Sequence, residues 1–184
     1  MEMKKCRKIA GVLVVVMIAV LTMATCGSDT QDVEPADKRS SAGFEDFEGE
    51  LLGGGVVTED IFAKADLTMV NVWATYCGPC IDEMPDLGKI SKEYQDKGFQ
   101  IVGIVSDTYD AEDATAKEIV EETGADYSHI VLNTDLVNGP LKDVQVVPTT
   151  FFVDKNGNQV GQVITGSKSE SNWKKIIDDL LRQI

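Results

Sequence analysis

Histidine occurs once in these 184 residues, at position 129, and cysteine only four times. A structural zinc site wants four cysteine or histidine ligands in paired spacing. The chain has one close pair, Cys77 and Cys80, and no second pair to complete such a site. Basic side chains are also scarce: 17 lysines and arginines face 31 acidic residues, a formal net charge of −14. A surface of that sign lacks the basic footprint that nucleic acid requires, and it disfavours adsorption to anionic lipid. A self-repelling, well-solvated domain is the expectation. No internal repeat is present, and the length is that of one domain with residues to spare.

Long apolar runs are nearly absent as well. The one that exists spans 9–23, with Thr22 its only polar residue, and follows Lys4, Lys5, Arg7 and Lys8. It is short for a membrane span of about 20 residues and suits the apolar core of a signal peptide. Its end, Met23-Ala24-Thr25-Cys26-Gly27, resembles the lipobox of bacterial lipoproteins. Met23 and Thr25 depart from the Leu and the small residue usual there. Residues 1–26 are therefore expected to be a lipoprotein-type signal peptide with Cys26 as the lipidation site. The rest is expected outside the cytoplasm, held by lipid on the bacterial cell membrane, in a Gram-positive exterior or a Gram-negative periplasm. Cys6 then belongs to the signal region, so only Cys77 and Cys80 remain in the folded part. A single pair is not a disulfide framework.

Residues 27–43 are polar and almost free of large apolar side chains, the composition of a flexible linker. The folded domain is expected over 44–184. Phe44, Phe47, Leu51 and Leu52 ahead of Gly53-Gly54-Gly55 predict a short hairpin, and Thr58-Glu59-Asp60 a helix start. The pattern then alternates. Residues 67–73 and 99–106 read as buried strands, and 77–97 as a helix with Ile81, Met84, Leu87, Ile90 and Tyr94 on one face. Pro85 predicts a kink in that helix. Helix is also expected over 111–122, a short strand over 129–132, and a helical turn or two within 136–144. Strands over 149–153 and 159–165 flank the turn signal Asn156-Gly157, and Trp173, Ile176, Ile177, Leu180 and Leu181 give a last helix its apolar face. Strands alternating with helices argue a parallel sheet core with antiparallel additions from the final hairpin.

The chemistry is concentrated in Trp73-Ala74-Thr75-Tyr76-Cys77-Gly78-Pro79-Cys80. Two cysteines separated by two residues can close a disulfide across the first turn of a helix. Unsatisfied N–H groups at that helix end favour a thiolate on the first of them. Such a pair exchanges electrons with other thiols. The other reading, a zinc half-site, lacks its partner ligands.

The stretch Val70-Asn71-Val72-Trp73-Ala74-Thr75-Tyr76-Cys77-Gly78-Pro79-Cys80, with Val147-Pro148-Thr149-Thr150 some seventy residues on, resembles the thioredoxin superfamily. More narrowly it is similar to the membrane-anchored TlpA/ResA-like thiol-disulfide oxidoreductases. The resemblance covers about residues 44–184. It implies an α/β thioredoxin-like fold: a mixed central sheet flanked by helices, an N-terminal β-hairpin and a central insertion around 110–128. It implies Cys77 as attacking thiol and Cys80 as the thiol that resolves the mixed disulfide, with no cofactor besides that dithiol. Gly78-Pro79 between them is the loop of the family's reducing members. Pro148 matches the family's cis-proline, beside which Val147 and Thr149 would hold a substrate chain. Tyr76 would belong to the docking surface and Trp73 to the packing beneath the loop.

Thioredoxins carry a buried Asp six residues before the first cysteine; here that position is Asn71, which cannot titrate. Glu83 matches a glutamate of ResA-like proteins near the active site, where it would assist proton transfer or shape a recognition cavity. The alternative for Glu83 is a solvated helix charge beside Asp82. His129 reads as a strand-end residue rather than a catalyst. The implied partners are protein disulfides as substrates and a membrane electron donor of the CcdA or DsbD kind. No nucleic acid and no metal are implied, and the protein is expected to be a monomer. Two rivals stand against this. A peroxiredoxin-like thiol peroxidase usually has Thr three residues before its cysteine, whereas Thr75 is two before Cys77. A Sco-like copper chaperone uses Cys-x-x-x-Cys and would need His129 beside the pair.

Overall fold

The structure is a computed structural model that describes Gly43, Phe44 and residues 47–184. The expected signal peptide 1–26 with Cys26, and the polar segment up to residue 42, lie outside the described residues. In chain order the elements are β1 (Glu48–Glu50), β2 (Val56–Thr58), β3 (Leu67–Trp73), α1 (Gly78–Tyr94), β4 (Phe99–Val105) and α2 (Ala114–Thr123). There follow β5 (Ser128–Val131), α3 (Thr134–Asn138), β6 (Thr149–Asp154), β7 (Ile164–Thr165) and α4 (Glu170–Leu181). β1 and β2 form the antiparallel hairpin. A five-stranded sheet runs in the order β5-β4-β3-β6-β7. β3, β4 and β5 are parallel, while β6 and β7 join antiparallel. This mixed sheet flanked by helices is the thioredoxin-like arrangement.

Every residue of the central strand β3 is buried, because helices or loops cover both sheet faces. Leu67 and Met69 pack toward α1 and α4 against Leu87, Ile90, Phe152 and Trp173. Val70 and Val72 pack on the opposite face with Phe62, Val102, Ile104 and Phe151. Each such side chain contributes about 2 kcal/mol by leaving water. One row breaks the apolar pattern. Asn71 pairs with Thr150 on β6 and Gly103 on β4, and Gly103 pairs with His129 on β5. The row Thr150, Asn71, Gly103, His129 is a polar layer crossing the sheet on the face that α1 covers.

Three boundaries differ from the sequence expectation, each for a local reason. α1, which holds Pro85 on its exposed side, ends at Tyr94 rather than 97, because Gln95–Lys97 tighten into a 3-10 turn closed by Gly98 at φ +74°. α2 starts at Ala114 rather than 111, because Asp113 caps it, its carboxylate accepting from the Ala116 N–H at 2.9 Å. The segment 159–165 forms only the two-residue β7 and a bridge from Gln159 to Val153. Gly161, at φ +71°, takes the chain out of the extended conformation between them.

Candidate active site

Cys77 is the N-cap of α1, and its Sγ accepts the Cys80 N–H at 3.2 Å. The same N–H donates to the Cys77 carbonyl at 3.1 Å, so at this helix end it is shared between that oxygen and the sulfur. The two cysteines form a disulfide. Cys77 is 6% exposed and Cys80 fully buried, so of the two residues only the first reaches solvent. On reduction that N–H would donate to a thiolate at Cys77, which lowers the thiol's pKa. Gly78 and Pro79 form the first turn, where a proline's missing N–H costs nothing.

Glu83 sits one turn beyond Cys80 and is buried, whereas its neighbour Asp82 is exposed. Burial pushes its carboxyl above the ordinary value, against the pull of three hydrogen bonds. Oε1 accepts from Asn71 Nδ2 at 3.2 Å. Oε2 accepts from the Lys168 backbone N–H at 3.0 Å and the Trp173 indole at 3.1 Å. A carboxylate so buried is tolerable only because donors replace water on both oxygens.

Trp73, fully buried, donates from its indole to His129 Nδ1 at 3.1 Å. His129 Nε2 lies 3.0 Å from the Ala125 carbonyl. Since Nδ1 accepts, the proton is on Nε2 and the imidazole is neutral. Desolvation pushes its pKa down to about 4. With both ring nitrogens engaged, His129 has none to offer a copper ion beside the cysteines.

The approach to Cys77 is fixed by the two residues that follow β4. The carboxylate of Asp107 accepts the Thr75 N–H at 3.0 Å and the Thr75 hydroxyl at 2.5 Å. Ser106 donates from both its N–H and its hydroxyl to the Trp73 carbonyl. Thr75 is therefore committed to Asp107. Tyr76, between this clamp and Cys77, is 77% exposed. The Val147–Pro148 peptide bond is cis. Val147 is half-buried and borders, with Tyr76, Val72 and Leu132, a groove of about 260 Å³. Val146, beside it, is exposed. Thr149 is buried and its hydroxyl donates to the Val146 carbonyl at 2.7 Å, so it shapes this turn from within.

A family profile described as Redoxin matches residues 38–180. The chain belongs to the Redoxin family. Thiol-disulfide oxidoreductase ResA of Bacillus thuringiensis is 29% identical over 130 residues, which span 69% of this chain and 72% of that protein. ResA of Oceanobacillus iheyensis is 24% identical over 179 residues, 95% of this chain and 88% of that one. Among solved structures, a thiol:disulfide interchange protein of the thioredoxin family from Chlorobium tepidum superposes with a TM-score of 0.64 at 24% identity. The match covers 77% of this chain and 97% of that one. This Redoxin member is a ResA-like thiol-disulfide oxidoreductase of the thioredoxin superfamily.

The site also holds residues that sequence reading passed over. Trp173 and Lys168 reach Glu83 from 90 and 85 positions away in the chain. Asp107 lies 32 residues beyond the loop it clamps. No local pattern marks such partners. Gly103 did carry a signal: a glycine inside a strand often marks a close approach. A Cβ there would fall 2.2 Å from His129 Nδ1.

Proposed function

We propose that this protein is a membrane-tethered, extracytoplasmic reductant of disulfides in partner proteins. The observation that carries the reading is the asymmetry of the pair: Cys77 caps a helix and keeps a narrow solvent-exposed edge, and Cys80 is wholly buried. In the reduced enzyme the Cys77 thiolate attacks a substrate disulfide, forming a mixed disulfide and releasing one substrate thiolate. Cys80, losing its proton, attacks Cys77 Sγ and expels the second substrate thiolate. Two electrons have then passed to the substrate, and Cys77–Cys80 is a disulfide. Glu83, buried one turn from Cys80, takes the Cys80 proton in this reading. Val147, which packs against the cluster that holds Cys77, and Tyr76 border a groove that would receive the substrate chain. A donor of the CcdA or DsbD kind would return the electrons from the membrane side. The −14 net charge and the Cys26 sequence support a solvated domain held by lipid rather than by surface charge.

The test is trapping. Cys80→Ser removes the resolving thiol, so full-length protein expressed in cells should accumulate disulfide-linked partners through Cys77. Recovery of no linked protein, or undiminished disulfide-reductase turnover in Cys77→Ser, would overturn the reading.

A further inference from the structure

Glu83 meets two unequal sets of donors. On Oε2 both are fixed: a backbone N–H from Lys168 and an indole N–H from Trp173, which can only donate. On Oε1 the partner is Asn71 Nδ2, at 3.2 Å. An asparagine amide is the one partner here that can change sign, because half a turn about its last torsion exchanges nitrogen for oxygen. The same Nδ2 donates to Thr150 Oγ1 at 3.2 Å, and a hydroxyl can also reverse. Asn71 Oδ1 is buried without a hydrogen-bond partner, so the amide is oriented by its nitrogen alone.

We infer that Asn71 is the positioning residue that lets Glu83 gain and lose a proton, its amide turning over with each change of state. With Glu83 ionised, Nδ2 donates to Oε1 and to Thr150. With Glu83 neutral, the proton sits on Oε1, because both Oε2 contacts are donors. It is then given to Asn71 Oδ1, and the Thr150 hydroxyl donates to the other lone pair of that oxygen. Without the turn, the Oε1 proton would face the Asn71 amide protons, so neutral Glu83 would have no acceptor. The inference rests on the reading that Glu83 takes the Cys80 proton. The proton leaves Cys80 Sγ as that sulfur attacks Cys77, and returns to it when the pair is next reduced.

The residue type is what the task needs. Aspartate at 71 would set a second carboxylate against Oε1, and the pair would have to share a proton. Leucine would leave Oε1 without a partner in either state. The other charged and titratable groups facing Glu83 are Lys168, before α4, which favours the carboxylate, and Tyr127, before β5, whose own ionisation Glu83 opposes. β3, β6 and α4 present the uncharged Asn71, Thr150 and Trp173. On α1 the neighbours are Cys80, one turn earlier, and the exposed Asp82.

The experiment follows the side-chain 15N–1H signals of Asn71 in the reduced full-length protein, titrated between about pH 4 and about pH 9. The companion variant is Glu83→Gln. Its oxygen must face the two fixed donors, so its Nε2 faces Asn71 and demands Oδ1. The Asn71 signals of Glu83→Gln should stay at one position throughout, and those of the wild type should reach that position only at low pH. Wild-type signals that do not titrate, or that match Glu83→Gln at high pH, overturn the inference, and the first of these outcomes requires no variant to fold. Turnover against pH separates the two claims. Asn71→Asp should move the limb that Glu83→Gln abolishes upward by about one pH unit, a tenfold change in proton affinity. A limb that Glu83→Gln leaves intact removes the proton-acceptor role of Glu83 and this inference with it. A limb that Glu83→Gln abolishes but Asn71→Asp does not move removes the Asn71 role alone.

Discussion

The indole N–H of Trp73 and Nδ1 of His129 meet at 3.1 Å, joining the strand that leads into the cysteine pair to β5, two strands away. The contact is possible because Gly103, on the strand between them, has no side chain. His129 lies across that glycine, with its ring 5.6 Å from the Trp73 ring and 4.6 Å from that of Tyr127. The lone histidine is therefore a structural acceptor beneath the active-site loop.

Acid should loosen this contact. The folded protein holds His129 neutral, with its pKa lowered from 6.5 to about 4. The unfolded chain binds the proton at higher pH than the folded one. The stabilisation is therefore complete above about pH 6.5 and is lost as pH falls toward about 4, by on the order of 3 kcal/mol. Urea melts at several pH values should show this slope in the wild type, and His129→Asn should flatten it. Glu83 acts with the opposite sign, since its raised pKa makes stability fall as pH rises above its ordinary value. The difference between wild type and His129→Asn isolates the histidine. An unchanged slope in that variant would contradict the assignment.

Gly103→Ala should be more costly than its size implies. The added methyl would sit 2.2 Å from His129 Nδ1 and 2.8 Å from Cε1, so the ring has to move and the Trp73 bond breaks. A loss of about 2 kcal/mol is expected from overpacking together with the unpaired indole. Tryptophan fluorescence should change in the folded state. Wild-type stability and spectrum would show that the ring has room to spare.

Asp107→Ala should slow disulfide exchange more than it destabilises the fold. Asp107 is exposed and contributes about 1 kcal/mol through its bonds to Thr75, yet those bonds fix the backbone two residues before Cys77. Turnover is expected to drop several-fold, with Asp107→Asn recovering part of it through the retained oxygen. Equal turnover in all three proteins would show that the loop holds its position without the clamp.

Much of this protein could be read in one dimension. The run 67–73 could only be a strand buried on both faces, and the Cys77–Cys80 spacing at a helix start named the chemistry. Val147-Pro148-Thr149 after a gap of some seventy residues pointed to the turn beside it. These signals are local: apolar periodicity, capping and short-range spacing depend on neighbours within a few residues. Burial of Glu83 could not be read that way. Asp82 and Glu83 are adjacent acids on one helix, and only the sheet and α4 decide that one meets water and the other meets Asn71 and Trp173. The same holds for His129, whose strand-end position was legible while its partner Trp73, 56 residues away, was not. Sequence by itself determined the fold class, the one close cysteine pair and the acidic composition. Tertiary structure decided which polar side chains share the layer behind Cys80. Partners in that layer are chosen by strand register and helix packing, and neither leaves a trace in the residues that lie between them in the chain.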